Sequence, residues 1–165
     1  MLHNLEASYN QRNHFEYDRL IDTNFNFFFS PEDFSSGRTP ETWDRSTDVP
    51  ATGDLFIDGL TIDLDIQIDS LEWAAIIPDS FPDETWFMTT ATYTFTMRFG
   101  QDPETTWITS GQPRARYTVR EVDAGGTPEW RLVECNDLGG LSNLRMIIPP
   151  GSPRTSRRYA PVNVR

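Results

Sequence analysis

The sequence predicts an α+β domain in which a curved, mostly antiparallel sheet wraps over three N-terminal helices. Three observations carry this. The N-terminal part shows helical spacing of apolar residues, interrupted by one aromatic strand. From Leu60 the apolar period changes to two and holds to Leu138. The strands so defined are apolar along one face, and the three short helices are the elements available to cover it.

Each element has its own signal. Leu2, Leu5 and Tyr9 form the stripe of a first short helix. Phe15, Tyr17, Leu20 and Ile21 form that of a second, and the two make a helical hairpin. Phe25–Ser30 is an aromatic strand closed by Pro31. Residues 31–46 read as a loop. Ser46 or Thr47 then caps a third helix, with Pro50 in its first turn and Leu55 and Phe56 at its apolar end, although Gly53 weakens it. Ile62, Leu64, Ile66 and Ile68 line one face of the next strand, and Asp63, Asp65, Gln67 and Asp69 the other. After a loop with Pro78 and Pro82, a long strand runs over 85–99, followed by a turn at Gly100–Pro103. A further strand spans 106–122, interrupted near Gly111 and Pro113. A turn at Ala124–Pro128 leads into the last strand, Trp130–Leu138. Residues 1–138 therefore make one domain. Residues 139–165 are rich in Pro and Arg and read as an extended arm.

Composition narrows the function. The chain has 165 residues, enough for one domain with a real core, and 13% are aromatic, too many for a disordered chain. Its net charge of −11 repels phosphate backbones and anionic lipid surfaces, so nucleic acid is not an expected partner. All 14 basic residues are Arg. No run of 18 apolar residues exists, so no transmembrane segment is expected. The first residues, Met1–Glu6, do not read as a signal peptide. Cys135 is the single cysteine and reads as a packed thiol. It and the distant His3 and His14 match no zinc spacing, and Asp63, Asp65 and Asp69 lack a calcium loop. No metal and no cofactor are expected.

The last strand supplies the candidate chemistry. Strict alternation puts Trp130, Leu132, Glu134 and Asn136 on one face. With Trp130 and Leu132 packed under the helices, Glu134 and Asn136 point into a pocket. A carboxylate in an apolar cavity has a raised pKa and suits general acid or base work. The competing reading is that Glu134 pairs with an Arg, or that a bulge turns it outward. Thr89, Tyr93 and Tyr117 on the inner sheet face, with Tyr9 from the first helix, are the other pocket-lining candidates, each able to orient a ligand or simply to sit in the core. The outer face, with Thr90, Thr92, Thr94, Thr96, Arg114, Arg116 and Arg120, reads either as a homodimer surface or as a solvated one.

The segments Asn10–Ile21, Phe25–Pro31, Pro40–Arg45 and Trp130–Glu134 together resemble the nuclear transport factor 2-like superfamily, which includes ketosteroid isomerases, scytalone dehydratases and polyketide cyclases. The resemblance implies a cystatin-like cone with a pocket at its open end, and dimerisation through the outer sheet face. It is strongest to uncharacterised bacterial proteins often predicted to be lipoproteins, which implies the cell envelope. The catalytic sets of the superfamily do not carry over. Where the isomerases place a general-base Asp before a Pro, this chain has Ser30 before Pro31, and Leu5 stands at the position of their oxyanion-hole Tyr. The Arg and Asp two apart of the limonene-epoxide hydrolases find no match at Arg98, Arg114 or Arg120. The pocket His residues of the dehydratases are also missing. The expected function is therefore a pocket protein that binds a small, largely apolar molecule or mediates protein contacts without catalysis. The alternative is a small lyase, isomerase or cyclase that uses Glu134.

Overall fold

In a computed structural model, residues 1–35, 39–69, 73–99, 105–110, 113–139 and 143–147 are described. Helix α1 (Leu2–Asn10) buries Leu2, Leu5 and Ser8. The chain reverses through Arg12, whose φ of 53° lies in the left-handed region, and Asn13 then caps α2 (His14–Leu20) by accepting the Glu16 N–H at 3.2 Å. The Arg12 guanidinium donates to the Gly59 carbonyl at 2.7 Å, which fixes this hairpin to the far end of the third main helix.

Strand β1 (Ile21–Phe28) leads to a single helical turn, α3 (Pro31–Ser35), where only a loop was expected. Its cause is Ser30, whose buried hydroxyl accepts the Asp33 N–H at 3.3 Å and donates to the Asp33 carboxylate at 2.9 Å. A short strand, β2 (Thr42–Asp44), precedes α4 (Arg45–Asp58). The cap of α4 is Asp44, which accepts the Thr47 N–H at 3.0 Å, and not Ser46 or Thr47. Gly53 belongs to this helix. A Cβ there would lie 2.9 Å from His14 Nε2, so glycine is what lets α4 approach α2.

The remaining strands are β3 (Gly59–Ile68), β4 (Ala74–Ile76), β5 (Trp86–Phe99), β6 (Thr105–Ser110), β7 (Arg114–Asp123), β8 (Pro128–Asp137) and β9 (Asn143–Ile147). They form one mixed, mostly antiparallel sheet in the order β2-β1-β8-β7-β5-β6-β9. β3 and β4 lie on the other edge of β5. The exception to antiparallel pairing is β1 on β8. The strand expected over 106–122 is thus two strands, both paired with β5 and separated around residues 111–113. Past Gly139 the chain is not wholly an arm, because β9 adds to β6; residues 148–165 lie outside the described residues.

Register places Ile62 opposite Met97, Leu64 opposite Phe95, Tyr117 opposite Thr89 and Leu132 opposite Val119, all on the inner face. That face and the buried residues of α1, α2 and α4 make one core. Trp130 is not under the helices. It is 40% exposed and meets Phe87 edge-on, with ring centroids 5.4 Å apart. The outer edge of β3 is covered by side chains of α1. Asn10 donates to the Leu64 carbonyl at 2.9 Å and accepts the Leu64 N–H at 2.7 Å, while Glu6 accepts the Ile66 N–H at 3.3 Å.

Candidate functional site

Between the inner sheet face and the helices lies a cavity of about 230 Å³. Its apolar wall comes from Leu5 of α1, Phe25 and Phe27 of β1, Leu55 of α4, and Leu64 and Phe95 on the sheet. Its polar wall is a seam of phenols that ends on carboxyl groups: Tyr9, Tyr17, Tyr93 and Tyr117, with Asp48 at one end and Asp137 at the other. Among the described lining residues there is no cation.

The best-defined contact of the seam joins Tyr17 to Asp48, the hydroxyl donating to Oδ2 at 2.5 Å. Asp48 is 6% exposed. Burial pushes its carboxyl above the usual range, and the Tyr17 hydrogen bond offsets part of that rise. Burial also pushes up the Tyr17 phenol, and neighbouring Tyr9 and Asp48 add to it. Tyr9 is raised by burial and by Asp48, with the Thr52 hydroxyl in hydrogen-bonding reach. The rings of Tyr9, Tyr17 and Phe56 meet edge to face at 5.2–5.9 Å, which holds both phenols in place. The Tyr93 and Tyr117 phenols and the Cys135 thiol are all raised by burial, so each keeps its proton at neutral pH. Burial thus disfavours the thiolate of Cys135 at neutral pH. The Asp137 carboxylate accepts the Gly139 N–H at 3.0 Å.

Tyr9, Tyr93 and Tyr117 line this cavity; Glu134, Asn136 and Thr89 do not. For Glu134 and Asn136 the reason is a bulge. Val119 pairs with Leu132 but Thr118 pairs with Glu134, so Val133 is an extra residue in β8. Alternation flips there. Leu132 faces in, then Cys135 and Asp137, while Glu134 and Asn136 face out. Glu134 instead borders an outer cleft with Asn24, Asn26, Asp44 and Phe81. Thr89 shares the inner face with Tyr117, is 5% exposed, and its hydroxyl has no hydrogen-bond partner among the described residues.

Asp48 is the site residue that sequence reasoning missed. Its signal was present: Asp48, Thr52 and Phe56 recur at i, i+4 and i+8, so the stripe that buries Phe56 buries Asp48 as well.

No family model and no curated protein matches the chain. Solved structures do. It is similar to a proposed aromatic ring hydroxylase from Novosphingobium aromaticivorans, at 9% identity and a TM-score of 0.60, over 88% of this chain and 87% of that one. A proposed scytalone dehydratase from the same organism gives 10% identity and a TM-score of 0.59, over 92% and 89%. A conserved protein from Planctomyces limnophilus gives 12% identity and a TM-score of 0.52, over 82% and 88%. These likenesses show the fold. The chain shares the α+β fold of the proposed dehydratase, a mostly antiparallel sheet packed against helices. At such identities they do not transfer an activity.

Proposed function

We propose that the cone binds one small, largely apolar molecule, without catalysis by Glu134. The cavity carries this reading. At about 230 Å³ it is half as large again as the ~150 Å³ apolar cavity that holds benzene, so its occupant is about the size of one substituted ring. Apolar side chains supply most of the wall, and a few phenols and carboxyls orient the ligand, the usual division of labour in ligand sites. Ala115 sits in that wall and is 2% exposed, so Ala115→Phe should fill the space. Native mass spectrometry of the purified protein, with calorimetric titration of cyclohexanone, tests the reading. Binding by the parent and none by a folded Ala115→Phe variant is expected. Equal binding by both would place the ligand elsewhere.

A second reading keeps catalysis but moves it. Asp48 is a buried acid raised by desolvation and hydrogen-bonded to a phenol, the pattern of a general acid or base. A lyase or isomerase reaction would then depend on Asp48 and not on Glu134. Turnover that survives Asp48→Asn would remove this reading.

The same proposal includes a homodimer through the outer sheet face. Its support is the exposed Thr94 at the middle of β5, the longest strand, flanked by Thr92 and Thr96.

A further inference from the structure

The cavity is electrostatically one-sided. Its described titratable groups are phenols, a thiol and the carboxyls of Asp48 and Asp137. The chain has no lysine, and no arginine or histidine stands among the described lining residues. An anionic ligand would enter an apolar space with no counter-charge among the described lining residues. Asp48 presents the opposite situation. One oxygen, Oδ2, accepts the Tyr17 hydroxyl, and the carboxylate lines the cavity although the residue is only 6% exposed. A carboxylate in such an apolar wall is stabilised by a cationic donor that reaches it. The same cavity is lined by the rings of Tyr9, Tyr17, Phe25 and Phe95, side chains of the kind whose faces attract cations.

Resting on the binding reading above, we propose that the occupant is a protonated amine on a single ring-sized apolar body. Its N–H⁺ donates to Asp48 Oδ1, and its carbon skeleton lies against the aromatic wall. Tyr17 keeps its hydrogen bond to Oδ2, so the carboxylate has a donor on each oxygen and a cation beside it. The net charge of −11 adds a favourable long-range field for such a ligand.

Three probes with the same ring and different charge decide the matter: benzylamine, benzyl alcohol and benzoate, titrated calorimetrically into the full chain at pH 7.5. Benzylamine should bind about tenfold or more tighter than benzyl alcohol, and benzoate should give no binding heat. Asp48→Asn should bring benzylamine down to the level of the alcohol while changing the alcohol by no more than about threefold. Should the variant not fold, the ratio in the parent protein still decides. Benzyl alcohol binding as tightly as benzylamine overturns the amine assignment and leaves the binding reading standing. A preference for benzylamine that survives in folded Asp48→Asn overturns it too. If none of the three binds, the amine assignment falls, and the binding reading is then decided by the cyclohexanone titration and native mass spectrometry.

Discussion

Removing Arg120 is the sharpest test of how the sheet is held around the cavity. Arg120 on β7 faces outward and is 15% exposed, and Asp22 on β1 is 1% exposed. The guanidinium holds Asp22 through both carboxylate oxygens, at 2.9 and 3.0 Å, and reaches Glu84 at 2.7 Å. In Arg120→Met, Asp22 keeps the Asn24 N–H at 2.9 Å but loses its charge partner and stays buried. Breaking a buried pair from one side costs about 3–5 kcal/mol. That is a large share of a typical total of roughly 5–15 kcal/mol. For a domain of this size it corresponds to a fall in melting temperature of about 6–20 °C. Urea unfolding followed by tryptophan fluorescence measures it directly. The double variant Asp22→Asn with Arg120→Met removes the orphaned charge, so it should be more stable than Arg120→Met alone. A loss below about 1 kcal/mol in Arg120→Met, or a double variant as unstable as the sum of the singles, would refute the reasoning.

Asp48 gives a pH prediction with a definite sign. Its folded pKa is raised, so the folded state binds more protons than the unfolded one once pH exceeds the unfolded value of about 3.9, and wild-type stability falls as pH rises from there to the folded pKa. Asp48→Asn lacks that titration, so its stability relative to wild type should improve between pH 4 and pH 8 in paired urea melts. Asn10→Ala loses both hydrogen bonds to Leu64 and should cost about 1–3 kcal/mol by thermal or chemical denaturation, with no change expected in an Asn4→Ala control on the exposed side of α1. Thr94→Arg should shift a dimer towards monomer in sedimentation, because a two-fold contact brings both added charges together; a mass unchanged by the substitution would count against the outer face as the interface.

The fold was legible wherever period and burial agree. Ile62, Leu64, Tyr93, Phe95, Tyr117 and Leu132 share the inner face, as alternation predicts. The site was legible only as far as alternation stays unbroken. Tyr93 and Tyr117 lie on regular stretches, whereas Glu134 lies one residue past the extra Val133. That bulge sits beside another irregularity, in β1 between Ile21 and Asn26, where Asp22 accepts the Asn24 N–H. Val133 carries no glycine or proline mark, because it is fixed by pairing between strands distant in sequence. The parallel pairing of β1 with β8 was invisible for the same reason. The cap of α4 was misread by two or three residues because Asp44, Ser46 and Thr47 are all competent caps, and local chemistry alone does not rank them. Asp48 was passed over because a carboxylate in an apolar stripe reads as an interruption until its partner Tyr17, 31 residues away in sequence, is seen.

Helix α1 has two attachments, one to the cavity and one to the sheet edge. Leu5 and Tyr9 are part of the cavity wall, while Glu6 and Asn10 of the same helix occupy the free edge of β3. Swinging this helix aside to admit a guest would uncover backbone donors and acceptors on a strand whose inner face is Ile and Leu. Such an edge recruits strands from other molecules. Opening this side would therefore be coupled to self-association, and, on the proposed binding reading, a guest that holds α1 closed should also act as a solubiliser. Slower aggregation on warming in the presence of ligand would expose that coupling.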